Sequence, residues 1–117
     1  MQRRDVICLQ KIIREIYIGK DLINNVSEEE FLSNEMMKRA VSMTVINIGE
    51  LVKTLTENIR ENNRKVPWKA MAGMRDITAH RYQTLRMEDV YLAANKELPE
   101  IVLEIEKILE RDNGEKA

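Results

Sequence analysis

The run Arg75-Asp76-Ile77-Thr78-Ala79-His80-Arg81-Tyr82 holds the only histidine of the chain. It brings a guanidinium, a carboxylate, an imidazole and a phenol within about two helical turns. Histidine both takes and gives a proton near neutral pH, and arginine grips phosphate oxygens in a bidentate fork at any pH. The pair suits phosphodiester chemistry. The plainer reading is a hydrogen-bonded histidine beside charges on a solvated helix face. Charge distribution argues for the chemical reading. From Arg60 to Arg86 there are seven basic residues (Arg60, Arg64, Lys65, Lys69, Arg75, Arg81, Arg86) against Glu61 and Asp76, a local charge of +5 in a chain whose total is -1. Such a cluster is what a polyanion-binding surface requires. Glu88 to Ala117, with nine acidic and four basic residues, is a poor candidate for touching nucleic acid.

These residues must be positioned by a small all-α domain. The 117 residues suffice for one core, and with few aromatics that core must be built from Ile, Leu, Val and Met. Val6, Leu9, Ile13, Ile16 and Ile23 recur at helical spacing, broken only by Lys20, and predict a first helix over about Arg4 to Asn24. Ser27-Glu28-Glu29-Glu30 has the form of a capping box opening a short second helix with Phe31 and Leu32. Val41, Val45, Ile48, Val52, Leu55 and Ile59 predict the longest helix, roughly Glu35 to Asn62. Pro67 fits the first turn of a helix bearing Trp68, Met71 and Met74. Val90, Leu98, Ile101, Ile105 and Ile108 mark a last helical region that Pro99 starts or kinks. No period-two run suggests a strand.

Four apolar stripes on short connections predict an antiparallel up-and-down bundle of four to five helices, with residues 1–112 as the domain and 113–117 as a polar C-terminal tail. Met43 and Ile46 lie off the main seam of the longest helix, either as scattered surface hydrophobes or as a packing face for a second chain. Cys8 stands alone, so there is no internal disulfide, and one Cys with one His makes no common zinc site. No cofactor or metal is expected. Neither a signal-type leader nor an apolar span of membrane length is present, so a cytoplasmic protein without membrane contact is expected.

Ile48-Gly49-Glu50, Val66-Pro67-Trp68, Gly73-Met74-Arg75-Asp76, His80-Arg81-Tyr82 and Leu98-Pro99, in that order, give a chain that resembles the HepT family of small HEPN-domain proteins. The family motif is Arg, four residues, His, any residue, Tyr, matched by Arg75, His80 and Tyr82. Two departures are visible: Asp76 stands where Asn often follows the motif Arg, and Arg86 stands where a helix-capping Asp is common. The second bears on the start of the last helix, not on the site.

The resemblance implies a homodimeric HEPN bundle that acts as the toxin of a toxin–antitoxin pair. Its partner would be a minimal nucleotidyltransferase antitoxin, and its activity metal-independent cleavage of RNA. His80 would then move the 2′-hydroxyl or leaving-group proton, and Arg75 would stabilise charge on the phosphate. Asp76, four residues before His80, would orient the imidazole, and Glu50 would line the cleft unless it pairs with Lys53 instead. Arg81, Lys69, Arg64 and Lys65 are expected to bind RNA phosphates. Arg75 and His80 are five residues apart, about 140° on a continuous helix, so they are expected to share a phosphate only if the helix ends between them or a second subunit supplies one. Tyr82 would accept adenylyl groups that silence the toxin, without a conformational change. A non-catalytic subunit that binds substrate for, or regulates, a nucleotidyltransferase is the alternative, and a plain structural dimer a third.

Overall fold

The computed structural model describes the backbone of residues 1–116 and the side chains of residues 1–114. Helix α1 (Arg3–Leu22) buries Cys8, Leu9, Ile12 and Ile16 on one face, and Asn25, at φ 61°, takes the left-handed conformation that Asn tolerates to turn the chain. In α2 (Glu28–Leu32) the Ser27 hydroxyl accepts the Glu30 N–H at 3.1 Å, as the capping pattern predicts, while the Glu30 carboxylate accepts the Ser27 hydroxyl at 3.2 Å. Helix α3 (Glu35–Thr54) is capped by Asn34, whose side-chain oxygen accepts the Met37 N–H at 3.0 Å.

The apolar stripe of α3 runs on to Ile59, yet the helix stops at Thr54 and α4 (Glu57–Asn62) begins afresh. The cause lies on α1. Asp5, only 1% exposed, accepts the Thr56 N–H at 3.0 Å and the Thr56 hydroxyl at 2.6 Å, holding Leu55 and Thr56 extended. A helical Thr56 would direct its N–H to Val52 and leave a buried carboxylate unsatisfied, which costs more than a helical turn gains.

Helix α5 (Trp68–His80) follows Pro67, which sits one residue before the helix rather than inside its first turn. A 3₁₀ turn (Tyr82–Thr84) leads to α6 (Met87–Leu92), a wide π turn (Ala93–Glu97) and α7 (Leu98–Lys116). Arg86 precedes α6 and makes no side-chain cap. Pro99 has no N–H for the Asn95 carbonyl four residues back. That carbonyl instead accepts Lys20 Nζ at 2.9 Å, beside the Asn95 side-chain oxygen at 2.7 Å, so the one polar break in the α1 stripe satisfies the bulge. The last helix continues through residues 113–116, part of the stretch expected as a polar tail, and Ala117 lies outside the described residues.

The architecture is the expected all-α bundle, with no strand among the described residues. Helix α3 runs antiparallel to α1, since Cys8 Sγ reaches the Leu51 carbonyl (3.0 Å) while Gly19 lies against Thr44. Helix α7 is also antiparallel to α1, with Lys20 at Asn95 and Met1 at Asp112. Helix α5 packs on the outer side of α3. Burial pushes the Cys8 thiol pKa up, so this cysteine is an inert core residue.

Candidate active site at the end of α5

Helices α3 and α5 approach closely because position 49 has no side chain. A Cβ on Gly49 would overlap Arg75 Cβ, approach Arg75 Cγ to 2.8 Å and lie 3.1 Å from the Met71 carbonyl oxygen. With the helices this close, Glu50 and Lys53 of α3 stand beside Arg75 and Asp76 of α5. The Glu50 carboxylate pairs with Arg75 Nε, Asp76 Oδ1 accepts Arg75 Nη1 at 3.1 Å, and Lys53 Nζ lies 2.5 Å from the same oxygen. The hydrogen bond from Lys53, and then that from Arg75, hold the Asp76 pKa below its ordinary value.

Arg75 then reaches the last residue of its own helix. Its Nη1 lies 3.4 Å from His80 Nε2. The helix does not end between them, since α5 is continuous through both, yet their side chains meet within one protomer, where a helix end or a second subunit was expected to be needed for them to share a phosphate. The 140° between them describes Cβ directions, and the long arginine arm crosses that angle. A guanidinium only donates, so a hydrogen bond between the two has Nε2 as its acceptor. Nη2 of Arg75 has no protein partner among the described residues.

Asp76 does not orient His80. Its carboxylate is taken by Lys53 and Arg75, and among the described residues it makes no hydrogen bond to the imidazole. Glu50 pairs with Arg75 rather than with Lys53. Lys53, which the sequence offered only as a partner for Glu50, joins this network through Asp76 instead.

A family model described as ribonuclease HepT-like matches residues 10–108. The chain belongs to the HepT-like ribonuclease family. It is 33% identical over 104 residues to a candidate RNase of Caldanaerobacter subterraneus, covering 89% of this chain and 93% of that protein. A candidate RNase of Methanocaldococcus jannaschii is 40% identical over 97 residues, covering 80% of each chain. The probable ribonuclease HepT of Thermococcus cleftensis is 24% identical over 108 residues, covering 92% of this chain and 98% of its own. No solved structure matches.

The remaining expected residues of this HepT-like chain fall into two groups. His80, Arg81 and Tyr82 line a hollow of about 370 Å³ at the end of α5. Arg81 is exposed there, and its carbonyl accepts the Thr84 N–H at 3.0 Å. Tyr82 lies under the Arg39 guanidinium, 5.3 Å from the ring centroid, and its hydroxyl is enclosed without a hydrogen-bond partner among the described residues. Lys69, Arg64 and Lys65 are not at this site. They sit at the far end of α5, where Lys69 is eleven residues and about 17 Å from His80.

Among the described residues no three His, Cys, Asp or Glu side chains converge as a metal site, and no helix is long and apolar enough to cross a membrane.

Proposed function

We propose that this chain cleaves RNA without a metal ion, using His80 as proton-transfer group and Arg75 as phosphate anchor. His80 Nε2 takes the proton of a ribose 2′-hydroxyl, which displaces Arg75 Nη1 from that nitrogen. The 2′-oxygen bonds to phosphorus and the bond to the 5′-oxygen breaks, leaving a 2′,3′-cyclic phosphate. The departing oxygen receives a proton from the imidazolium or water. Arg75, braced by Glu50 and Asp76, offers Nη2 to the non-bridging oxygens as their charge grows. The observation that carries this reading is the contact of the braced guanidinium with the acceptor nitrogen of the only histidine.

The biological setting is a toxin–antitoxin pair in which a minimal nucleotidyltransferase adenylylates Tyr82. An adduct there would place phosphate beside His80 and Arg81, in the hollow where substrate phosphate would lie. A second copy would pack on the apolar face flanking the site, where Ile77 is 51% and Leu92 46% exposed, or on Met43, 54% exposed. Ile46 is half-buried and offers less.

The test replaces a cleaved ribonucleotide by its 2′-deoxy analogue. Cleavage at that position should cease while neighbouring positions are still cut. Continued cleavage there would exclude attack by the 2′-oxygen.

A further inference from the structure

We infer that the corner where α4, the start of α5 and α7 meet is a second RNA-contact surface, remote from the cleavage residues. It would hold the sugar-phosphate backbone of a single strand that runs on from His80 along α5. Two grooves meet there. One, of about 860 Å³, lies between α4 and α5 and is lined by Arg60, Arg64 and Lys69. The other, of about 180 Å³, lies between the α4–α5 turn and α7 and is lined by Arg64, Lys65 and Arg111. Arg64 and Val66 border both, so the grooves are continuous.

Much of their positive charge is unspent, although Lys107 of the smaller groove pairs with Glu104 at 3.4 Å. Glu57 and Glu61 share the larger groove, yet among the described residues none of Arg60, Arg64, Lys65, Lys69 and Arg111 forms an ion pair. Arg64 and Arg111 donate only to neutral oxygens, the Glu61 carbonyl at 3.3 Å and the Asn63 side chain at 2.8 Å. Arg60 Nε is enclosed with no hydrogen-bond partner among the described residues. Lys38, Lys53 and Arg75, by contrast, are each held in an ion pair.

The corner is also aligned with the site. Lys69 and His80 are eleven residues apart, three turns and about 20°, so they share one face of α5. That face passes Gly73, where a Cβ would meet nothing within 4 Å, leaving open room for a strand. The contact would be to phosphates rather than bases, because the one aromatic residue of the groove is unavailable for stacking. Trp68 is 6% exposed and its indole N–H donates to the Asn63 carbonyl at 3.0 Å. The acidic composition of α7 hides Arg111, which only the fold brings to this corner.

The direction of the strand rests on the cleavage reading above; the corner itself does not. The experiment measures binding of uncleavable 2′-O-methyl RNA of four and twelve nucleotides across a salt series, with RNA cleavage assayed separately. The wild-type chain should bind the longer RNA more tightly. The variant Arg64→Gln/Lys65→Gln/Lys69→Gln, exposed at all three positions, should lose that length dependence and lower the salt slope by about 2, at about 0.7 per lost single-strand contact. Arg60→Gln/Arg111→Gln should act in the same direction. Length dependence surviving in both variants, or an absence of RNA binding by the wild type, would overturn the inference, including the outcome in which the corner captures only acidic protein. Length-dependent binding without any cleavage would leave the corner standing and remove the nuclease reading instead.

Discussion

Gly49 of α3 and Arg75 of α5 touch with no room for a methyl group between them, and this contact sets the position of the arginine. Exchanging a helical Gly for Ala ordinarily gains about 1 kcal/mol. Here the added Cβ meets atoms close to the α5 backbone, and overpacking of that kind costs about 1–3 kcal/mol. Gly49→Ala should therefore lower stability slightly in a denaturant titration. Cleavage should fall much further, by about 100-fold, the cost of displacing a catalytic group by about 1 Å. An unchanged cleavage rate would show that Arg75 need not stand where the contact holds it.

Glu50→Gln keeps the size of the side chain and removes its charge from Arg75. The pair is half exposed, and such pairs contribute about 0–1 kcal/mol, so the melting temperature should barely move. The cleavage rate should drop several-fold because the guanidinium loses its brace. A large loss of stability with normal turnover would assign Glu50 to the fold alone.

The bundle was legible from the apolar stripes, because burial of one helix face is what spaces Ile and Val at three and four residues. The break at Leu55 was not, since the partner that causes it, Asp5, is about fifty residues away and looks like a surface charge in a first turn. The identities of Arg75 and His80 were legible from side-chain chemistry. Their meeting was not, because counting helical angle ignores the reach of an arginine. Gly49 stood out in the sequence only as part of a pattern, and its reason, a close approach to α5, exists only in three dimensions. Lys69, Arg64 and Lys65 were grouped with the site by local charge, which says nothing of the length of helix between them.

The Asp76 carboxyl should titrate below its ordinary range, owing first to Lys53 and then to Arg75. A depressed folded-state value means that its contribution to stability is complete above the ordinary carboxylate range and is lost as pH falls through the lowered value. The brace on Arg75 should therefore persist through mildly acidic solution. Carbon-detected NMR of the Asp76 carboxyl checks this, and Lys53→Met should move the midpoint upward. No movement would remove Lys53 from the network.

Tyr82 should carry the adenylyl adduct after co-expression with a minimal nucleotidyltransferase and ATP, read by intact-mass and peptide mass spectrometry. Because its hydroxyl is enclosed and its ring covered by Arg39, Arg39→Ala should accelerate modification. Tyr82→Phe should keep the fold and escape modification. An adduct on Tyr17 or Tyr91 instead would reject Tyr82 as the switch.

The most direct measurement is RNA cleavage by the purified chain in excess chelator, parent beside His80→Ala, with the product ends identified. The parent should release 2′,3′-cyclic phosphate ends at an undiminished rate. The His80→Ala variant, unchanged in circular dichroism because the side chain is exposed, should be slower by about 10²- to 10⁴-fold, the range for loss of a proton-transfer group. A His80→Ala variant as active as the parent, or parent activity that vanishes in chelator and returns with a divalent ion, would contradict the account.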